Sequence, residues 1–272
     1  MTIRLLVSDI DGTLVRKDKS LPEENVAAIR RVVAAGCAVS LISARPPSGI
    51  LPIVRALDLP GPFAAFNGGT VFDADGTVRA AHRLTPRMAG DIIALLVKHD
   101  VIIWVQADGQ WLTSALDDVH TPREIVASGV EPIMTKRWSG LLDRVDKFVV
   151  VSDDDKLLTK VEGIVRQLVG DDATVARSQP YYLDITAHAA NKGDGLAELA
   201  RIADIPLIDV AVMGDADNDL PMFARAGLSV AMGQAQARVK AAATFATEAD
   251  MDHAAVAEAI DNYIMPRLSN RG

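Results

Sequence analysis

Cysteine, positive charge and long apolar runs are all scarce in this sequence, and each shortage excludes a class of protein. Among 272 residues there is one cysteine, so an intrachain disulfide and a cysteine-based zinc site are both excluded. Cys37 lies in an apolar stretch, where we interpret it as a small core residue. The net charge of −8 argues against a nucleic-acid or anionic-membrane partner, because both favour a basic protein face.

Apolar runs are too short for a membrane protein. No stretch reaches the roughly 18 uninterrupted apolar residues that a membrane span needs. Asp9 interrupts the apolar run near the N-terminus, which argues against a signal peptide. We therefore expect a soluble, cytoplasmic protein, and 49% hydrophobic with 24% charged residues is an ordinary globular composition. The length suggests one or two domains.

Buried strands alternate with helices in the first and last thirds of the chain. "IRLLVSD" (3–9), "CAVSLIS" (37–43) and "DVAVMGD" (209–215) are apolar runs of strand length. "PEENVAAIRRVVAAG" (22–36) has helical spacing, with Pro and Glu at its start and Gly at its end. Continuous apolar strands with helices between them indicate a parallel sheet that is covered on both faces.

The middle of the chain has a different pattern. "VIIWVQADGQWLTSA" (101–115) predicts a hairpin that turns at Asp108-Gly109, and further strands and one amphipathic helix follow it. This pattern predicts an α+β segment inserted into an α/β protein. We therefore expect a Rossmann-like core of residues 1–82 and 188–272 and a second domain of residues 83–187.

Acidic residues follow two of the predicted strands. Asp9 and Asp11 lie two positions apart, and on a strand such residues point to the same side. Strand carboxyl ends are where open parallel sheets bind ligands. Paired carboxylates repel unless a proton or a cation neutralises them, and Mg²⁺ prefers such oxygen ligands. The alternative for "DIDGT" is a surface loop with an Asx-turn.

A second acidic cluster follows the strand at 209–215. It comprises Asp215, Asp217 and Asp219, with Asn218 between the last two. A calcium loop of the D-x-D-x-D type does not fit. Leu220 stands where that loop needs Gly, and Ala226 stands where it needs Glu. Two acidic strand ends in one parallel sheet can instead face each other across one site.

Four motifs, in this order, resemble the haloacid dehalogenase (HAD) superfamily phosphatases of the Cof-like group, which carry a type IIB cap. They are "DIDGT" (9–13), "SLISARP" (40–46), "NKGDGL" (191–196) and "GDADNDLPMF" (214–223), and "FNGG" (66–69) is also typical of the group. The resemblance covers nearly the whole chain. It implies a catalytic core, a substrate-specificity cap and Mg²⁺-dependent hydrolysis of a small phosphorylated metabolite, usually a sugar phosphate, through an aspartyl-phosphate.

The resemblance also implies roles for individual residues. Asp9 would attack phosphorus, Asp11 would act as general acid and base, and Ser43 and Lys192 would complete the catalytic set. The implied metal ligands are Asp9, Asp11 (through its backbone carbonyl), Asp215 and Asp219. The implied phosphate or substrate contacts are Gly12, Ala44, Arg45, Asn67, Gly68, Lys192 and Asn218. The second motif departs from the group's usual Thr-Gly-Arg, because Ser43-Ala44-Arg45 stands there. Ser43 keeps the hydroxyl, whereas Ala44 restricts the loop.

Three functional alternatives stay open at this stage. They are a phosphatase, a phosphotransferase or phosphomutase that uses the same intermediate, and a non-catalytic sugar-phosphate sensor. Both the nucleophile and the lysine are present, which favours an enzyme. The expected partner is a small phosphorylated molecule, and the expected assembly is a monomer or homodimer. The candidate substrate contacts in the cap are Trp104, His120, Arg123, Tyr181, Tyr182 and Asp184. For each of them the alternative is a purely structural role.

Overall fold

The computed structural model describes residues 2–268, and the chain divides into two compact units. The first unit consists of the chain up to Arg79 together with the segment from Asn191 onward. The second unit is Ala80–Ala190, so the boundaries predicted at 82/83 and 187/188 lie a few residues inside it. None of the helices within residues 2–268 is both long enough and apolar enough to cross a membrane.

Short strands and helices alternate along the chain. The strands are β1 (Leu5–Ser8), β2 (Ala38–Leu41), β3 (Phe63–Ala65), β4 (Thr70–Phe72), β5 (Val78–Ala81), β6 (Ile102–Ala107), β7 (Gln110–Thr113), β8 (Ile133–Met134), β9 (Val145–Val151), β10 (Ala173–Gln179), β11 (Tyr182–Ala187), β12 (Val210–Gly214), β13 (Leu228–Ala231) and β14 (Phe245–Ala246). The α-helices are α1 (Glu23–Ala34), α2 (Pro47–Leu57), α3 (Pro86–Leu96), α4 (Thr121–Ser128), α5 (Asp155–Val169), α6 (Lys192–Ile202), α7 (Leu220–Phe223), α8 (Ala237–Ala242) and α9 (Ala255–Ala259).

The sheet of the first unit has the order β14-β13-β12-β1-β2, and its strands are parallel. The predicted parallel core is therefore confirmed. In the register, Ser8 lies opposite both Leu41 and Met213. The residues that follow β1, β2 and β12 consequently emerge at the same edge of the sheet. This register brings the first, second and fourth motifs together.

Apolar strand and helix faces form the core of the first unit. Leu6 and Met213 of the sheet are fully buried among side chains of α1, α2 and α9, such as Ile29, Ile50 and Val256. Burying apolar surface stabilises a fold by about 25 cal/mol per Å². These helices therefore cover the sheet with apolar side chains, whereas the polar residues of the motifs follow the strand ends.

Helix α6 carries the third motif into this edge of the first unit. Asn191 caps the helix, since its side-chain oxygen accepts the N–H of Asp194 at 2.9 Å. Such a cap satisfies a backbone donor that the first turn would otherwise leave unpaired. Because the cap fixes where the helix begins, it also fixes the position of Lys192, the first helical residue.

The second unit is built on a six-stranded sheet with the order β10-β11-β9-β6-β7-β8. Its pairings are antiparallel except for the pairing of β7 with β8. The predicted hairpin is present, and Asp108 (φ 49°) and Gly109 (φ 73°) take the left-handed conformations that a tight two-residue turn needs. Helices α3 and α5 cover one face through residues such as Ile92 and Val161. The predicted α+β character of this segment is therefore confirmed.

Candidate active site

A buried cluster of three aspartates and a lysine lies at the sheet edge where β1 and β12 end and where α6 begins. We call Asp9, Lys192, Asp215 and Asp219 the buried cluster, in which Asp215 is the one partly exposed residue. Nζ of Lys192 is 2.6 Å from Oδ1 of Asp9 and 2.6 Å from Oδ1 of Asp219. The Lys192 side chain has no exposed surface. The first, third and fourth motifs therefore meet at the ammonium group of Lys192.

Burial and mutual charge shift the ionisation of this cluster. Burial alone would lower the pKa of Lys192, but the carboxylates of Asp219 and Asp9 outweigh it and raise that pKa above its usual range. Burial raises the pKa of Asp9 well above its ordinary value; Lys192 opposes the shift, and the neighbouring aspartates add to it. Lys192 is therefore charged, whereas ionising Asp9 in the folded protein costs free energy.

Both oxygens of Asp219 already have partners. Oδ1 accepts from Lys192, and Oδ2 accepts the backbone N–H groups of Asp215 and Ala216 at 2.8 and 2.9 Å. These bonds close the turn that follows β12. Asp219 therefore fixes the lysine and the loop at the same time.

Asp215 has a carboxylate oxygen that no described group satisfies. Its Oδ1 is buried and has no hydrogen-bond partner. Burial, together with the charge of Asp219, raises the pKa of Asp215 to about 6. Ligand oxygens of Asp9, Asp215 and Asp219 lie within 4.8 Å of one another, as a bound metal ion would require. An all-oxygen donor set of this kind suits a hard divalent cation.

The loop after β1 passes directly against Asp215. Gly12 has φ +82°, and a Cβ there would overlap the Asp215 carboxyl group, with Cγ at 2.6 Å. Glycine is therefore required both by the backbone conformation and by the close approach. This contact brings the backbone of the first motif to the carboxylate oxygens of Asp215.

The carboxylate of Asp11 does not join the buried cluster. Strand β1 ends at Ser8, so Asp11 lies in the following turn rather than on an extended strand. Arg45 binds Asp11 through two nitrogens, each 2.7 Å from a different oxygen, and Nζ of Lys19 lies 2.6 Å from Oδ1. Burial would raise the pKa of Asp11, but Arg45 and Lys19 outweigh it and lower that pKa to about 2. We call Asp11, Arg45 and Lys19 the clamp.

The second motif supplies the arginine of the clamp. Ser43 follows β2 and is buried, and its Oγ accepts the backbone N–H of Arg45 at 3.2 Å. Nη1 of Arg45 also donates to the carbonyl of Gly49 at 3.2 Å. Ala44 lies between them in the bend and is half-buried. Hydrogen bonds of its backbone N–H and of its guanidinium group therefore hold Arg45 in place.

Asn67 and Asn218 contact each other, and Gly68 contacts a helix. Nδ2 of Asn218 donates to Oδ1 of Asn67 at 3.0 Å, which joins the loops after β3 and β12. Gly68 has φ +97°, and a Cβ there would lie 2.7 Å from the carbonyl oxygen of Asn191. In the structure, Gly68 therefore allows close packing of the loop on the start of α6.

Two residues near these loops were not identified from the sequence. Lys19 completes the clamp, but its position eight residues after Asp11 follows no recognisable spacing. Gln234 lies 2.5 Å from the carbonyl oxygen of Gly12 and follows β13. The signal that found the acidic clusters, a polar residue after a buried strand, could have found Gln234.

Five of the six candidate cap residues form one connected set in the second unit, in which Tyr182 also contacts Tyr181, with 4.7 Å between the ring centroids. The His120 ring stacks on Tyr181, with 3.7 Å between the centroids, and Nη1 of Arg123 lies 3.4 Å from the hydroxyl of Tyr181. Trp104 and Tyr182 pack edge to face, with 5.1 Å between the centroids. These contacts give each of the five residues a structural role within the unit.

Asp184 lies on the same sheet face as Trp104 and Tyr182. Nζ of Lys147 is 2.7 Å from its Oδ2, whereas its Oδ1 is buried without a hydrogen-bond partner. A buried unpaired acceptor costs about 1–3 kcal/mol. Among the six candidate cap residues, Asp184 therefore has the greatest unmet capacity to accept a hydrogen bond from a ligand.

Comparison with known proteins identifies the family. A family model described as haloacid dehalogenase-like hydrolase matches residues 6–260. The chain therefore belongs to the haloacid dehalogenase-like hydrolase family, which confirms the resemblance that the motifs predicted. It is 28% identical over 289 residues to a Bacillus subtilis (strain 168) protein named 5-amino-6-(5-phospho-D-ribitylamino)uracil phosphatase, with 96% of this chain and 98% of that protein covered. That name agrees with the predicted class of phosphoric monoester hydrolases.

Solved structures agree with the family and the fold. A haloacid dehalogenase-like hydrolase from Bacteroides thetaiotaomicron is similar with a TM-score of 0.88 and 27% identity, covering 95% of this chain and 98% of that one. A protein described as a HAD subclass IIB sugar phosphatase has the same fold, with a TM-score of 0.82 and 23% identity over 96% of this chain and 98% of its own. The α/β core with an inserted α+β domain is thus a fold that this family uses.

Proposed function

We propose that the protein is a Mg²⁺-dependent phosphatase that hydrolyses a small phosphorylated metabolite through a phosphoryl group on Asp9. The observation that carries the proposal is the buried cluster. Lys192 joins Asp9 to Asp219 at 2.6 Å each, beside the unpartnered Oδ1 of Asp215. Such a cluster combines a carboxylate nucleophile with the positive charge that a phosphoryl group requires.

Asp9 supplies the nucleophile. Unaided hydrolysis of phosphate monoesters is so slow that catalysis must contribute about 20 kcal/mol or more. Attack of Oδ on phosphorus breaks the bond to the leaving alkoxide and forms an aspartyl-phosphate, which water then hydrolyses. Lys192 offsets the charge of Asp9 and of the arriving phosphate. Two easier steps thereby replace one difficult step.

Asp9, Asp215 and the backbone carbonyl of Asp11 would hold the Mg²⁺ ion, and this assignment rests on the family resemblance and on the oxygen donor set. When bound, the ion offsets the negative charge of the phosphoryl group. Asp219 would contribute indirectly, because both of its oxygens already accept hydrogen bonds from protein groups. It orients Lys192 and the loop that carries Asp215.

Asp11 serves as general acid and then as general base. In the clamp, Arg45 and Lys19 hold it as a carboxylate, the form that accepts a proton from the hydrolytic water. For the first step it must be protonated and donate to the leaving oxygen. A bound phosphate dianion would add negative charge beside Asp11 and compete for the charges of Arg45 and Lys19, and both effects increase the proton affinity of the Asp11 carboxylate.

Polar groups around the cluster would bind the phosphate. The proposed contacts are Ser43 with the backbone at Gly12, Ala44 and Arg45, and, further out, Asn67, Gly68 and Asn218. Ser43 and Gly12 follow strands whose ends share one sheet edge with Asp9. Backbone N–H groups in such loops are natural ligands of phosphoryl oxygens.

The second unit would select the substrate, as a cap. A sugar phosphate or a similar small metabolite is the proposed class, and the named relative acts on a phosphorylated ribityl compound. Asp184 is the cap residue with the clearest capacity to accept from a hydroxyl group, because its Oδ1 is unpartnered. Asp184→Asn should therefore change KM and substrate ranking while Mg²⁺ dependence stays the same. Asp143→Asn, at an exposed acid of the same unit, is the control.

Phosphate release from a panel of phosphorylated metabolites tests the proposed function. We expect release with Mg²⁺ from the wild-type protein, none in excess EDTA, and none from Asp9→Asn in either condition. Ca²⁺ should inhibit, because it prefers more ligands at longer distances. Transfer of the phosphoryl group to a second sugar without free phosphate would indicate a phosphotransferase. Full activity in EDTA would contradict the mechanism.

A further inference from the structure

A glutamine outside the four motifs contacts three loops of the site. Nε2 of Gln234 donates to the carbonyl oxygen of Gly12 at 2.5 Å and lies 3.5 Å from Oδ2 of Asp215. At the other end, Oε1 accepts the backbone N–H of Met251 at 3.1 Å. The acceptors at one end and the donor at the other fix the orientation of the amide. Gln234 therefore joins the first motif, the fourth motif and the loop after β14.

These contacts give the two oxygens of Asp215 different surroundings. Oδ2 lies on the side of Gln234, whereas Oδ1 is buried and without a partner. Gly12 packs against the same carboxyl group, so the carboxyl plane is confined from two sides. A carboxylate confined in this way loses little further freedom when it binds a cation.

We propose that Gln234 is a positioning residue that orients Asp215 and the Gly12 loop for a divalent cation. The inference rests on the proposed metal site. Removing a group that hydrogen-bonds to a metal ligand commonly lowers the metal affinity by about 10- to 100-fold. Gln234 meets that description through its own hydrogen bonds, since it contacts both a ligand and the backbone beside the nucleophile loop.

A purely structural role predicts a different result. If Gln234 only joined the loops, its loss would lower the thermal stability of the metal-free protein and leave the affinity for Mg²⁺ unchanged. A positioning role requires that the Mg²⁺ affinity fall. Binding of Mg²⁺ to the substrate-free protein, measured by calorimetry, separates the two because it does not depend on activity.

The experiment compares Gln234→Met and Gln234→Asn with the wild type. Methionine has a similar length but neither donor nor acceptor, so we expect a 10- to 100-fold rise in the Kd for Mg²⁺. Asparagine is too short to reach Gly12 and Met251 together, and an intermediate rise is expected. Gln236→Met is the matched control, because Gln236 is exposed two residues away and caps no helix through its side chain.

The measured Kd values for Mg²⁺ separate the positioning role of Gln234 from the proposed metal site. A Kd for Mg²⁺ within twofold of wild type in a folded Gln234→Met protein would overturn the inference and leave the proposed function intact. Absence of Mg²⁺ binding by the wild-type protein would overturn the metal site itself. If Gln234→Met does not fold, Gln234→Asn decides the matter alone: unchanged affinity overturns the inference, and weakened affinity with an unaffected Gln236→Met supports it.

Discussion

The two aspartates of the first motif lie two residues apart and occupy opposite electrostatic environments. Asp9 belongs to the buried cluster, where burial and neighbouring acids raise its pKa. Asp11 belongs to the clamp, where Arg45 and Lys19 lower its pKa to about 2. One sequence motif thus supplies two carboxylates of different character. Groups whose environments move their pKa values apart are suited to different catalytic tasks.

The turn between the two residues produces this difference. Asp9 directly follows β1 and meets α6 and the loop after β12, whereas Asp11 lies beyond the strand and meets the second motif. A buried lysine faces the first carboxylate, whereas an arginine and a partly exposed lysine face the second. Single substitutions can therefore alter one environment at a time.

The largest effect is expected from Asp9→Asn. The amide keeps the shape of the side chain but cannot attack phosphorus, so phosphate release should fall by about 10⁴-fold or more. Asp18→Asn is the control, because Asp18 is an exposed acid in the same part of the chain. Near wild-type release by Asp9→Asn would exclude Asp9 as the nucleophile.

Lys192→Met should have the next largest effect. It leaves Asp9 and Asp219 buried without their cation, and activity should fall by about 10³-fold. Breaking a buried ion pair from one side costs about 3–5 kcal/mol in the free energy of unfolding, which urea titration in EDTA would measure. Lys160→Met, at an exposed lysine, should change neither quantity. Wild-type stability of Lys192→Met would show that the cluster does not depend on this lysine.

Opposite dependences of stability on pH should distinguish the two aspartates. The folded-state pKa of Asp9 is raised, so the ionised side chain destabilises the metal-free fold. Asp9→Asn should therefore be the more stable protein at neutral pH, and its advantage should vanish below about pH 4. Asp9→Asn that is less stable than wild type at neutral pH in EDTA would contradict this reading.

Asp11 should behave in the reverse manner. Its folded-state pKa of about 2 lies below the unfolded value, so its contribution is present above about pH 4 and is lost as the pH falls toward 2. Asp11→Asn should cost roughly 1 kcal/mol at neutral pH, since partial exposure screens the clamp. Urea unfolding in EDTA across this range measures the curves, and parallel curves for the two variants would remove the distinction.

The smallest effect is expected at the edge of the clamp. Lys19→Met removes one of three bonds to Asp11, and Arg45 still holds both oxygens. We expect an activity change of about two- to tenfold with alkyl phosphates and a stability change below about 1 kcal/mol. Lys17→Met is the control, because Lys17 is exposed two residues away. Equal effects of the two variants would show that Lys19 has no specific role.

The sequence predicted the parallel core because uninterrupted apolar strands and helix termini leave strong local patterns. It also predicted that the acidic residues after β1 and β12 would face each other, because the carboxyl ends of parallel strands lie at one edge of the sheet. That the residues after β2 would join them was implied only by the family resemblance. The direction of Asp11 could not be predicted, because it depends on where β1 ends and on Arg45, which is 34 residues away. The close packing of Gly68 against the start of α6 could not be predicted either, because no local pattern encodes it.

Accumulation of phosphoryl-Asp9 in Asp11→Asn tests the account most directly. p-Nitrophenol leaves without a general acid, but hydrolysis of the aspartyl-phosphate needs Asp11 as a base. Asp11→Asn with Mg²⁺ and p-nitrophenyl phosphate should therefore release one burst of nitrophenol. Mass spectrometry of the quenched protein should then find one phosphoryl group on the peptide that contains Asp9. A burst of nitrophenol with no phosphoryl group on Asp9 would contradict the account.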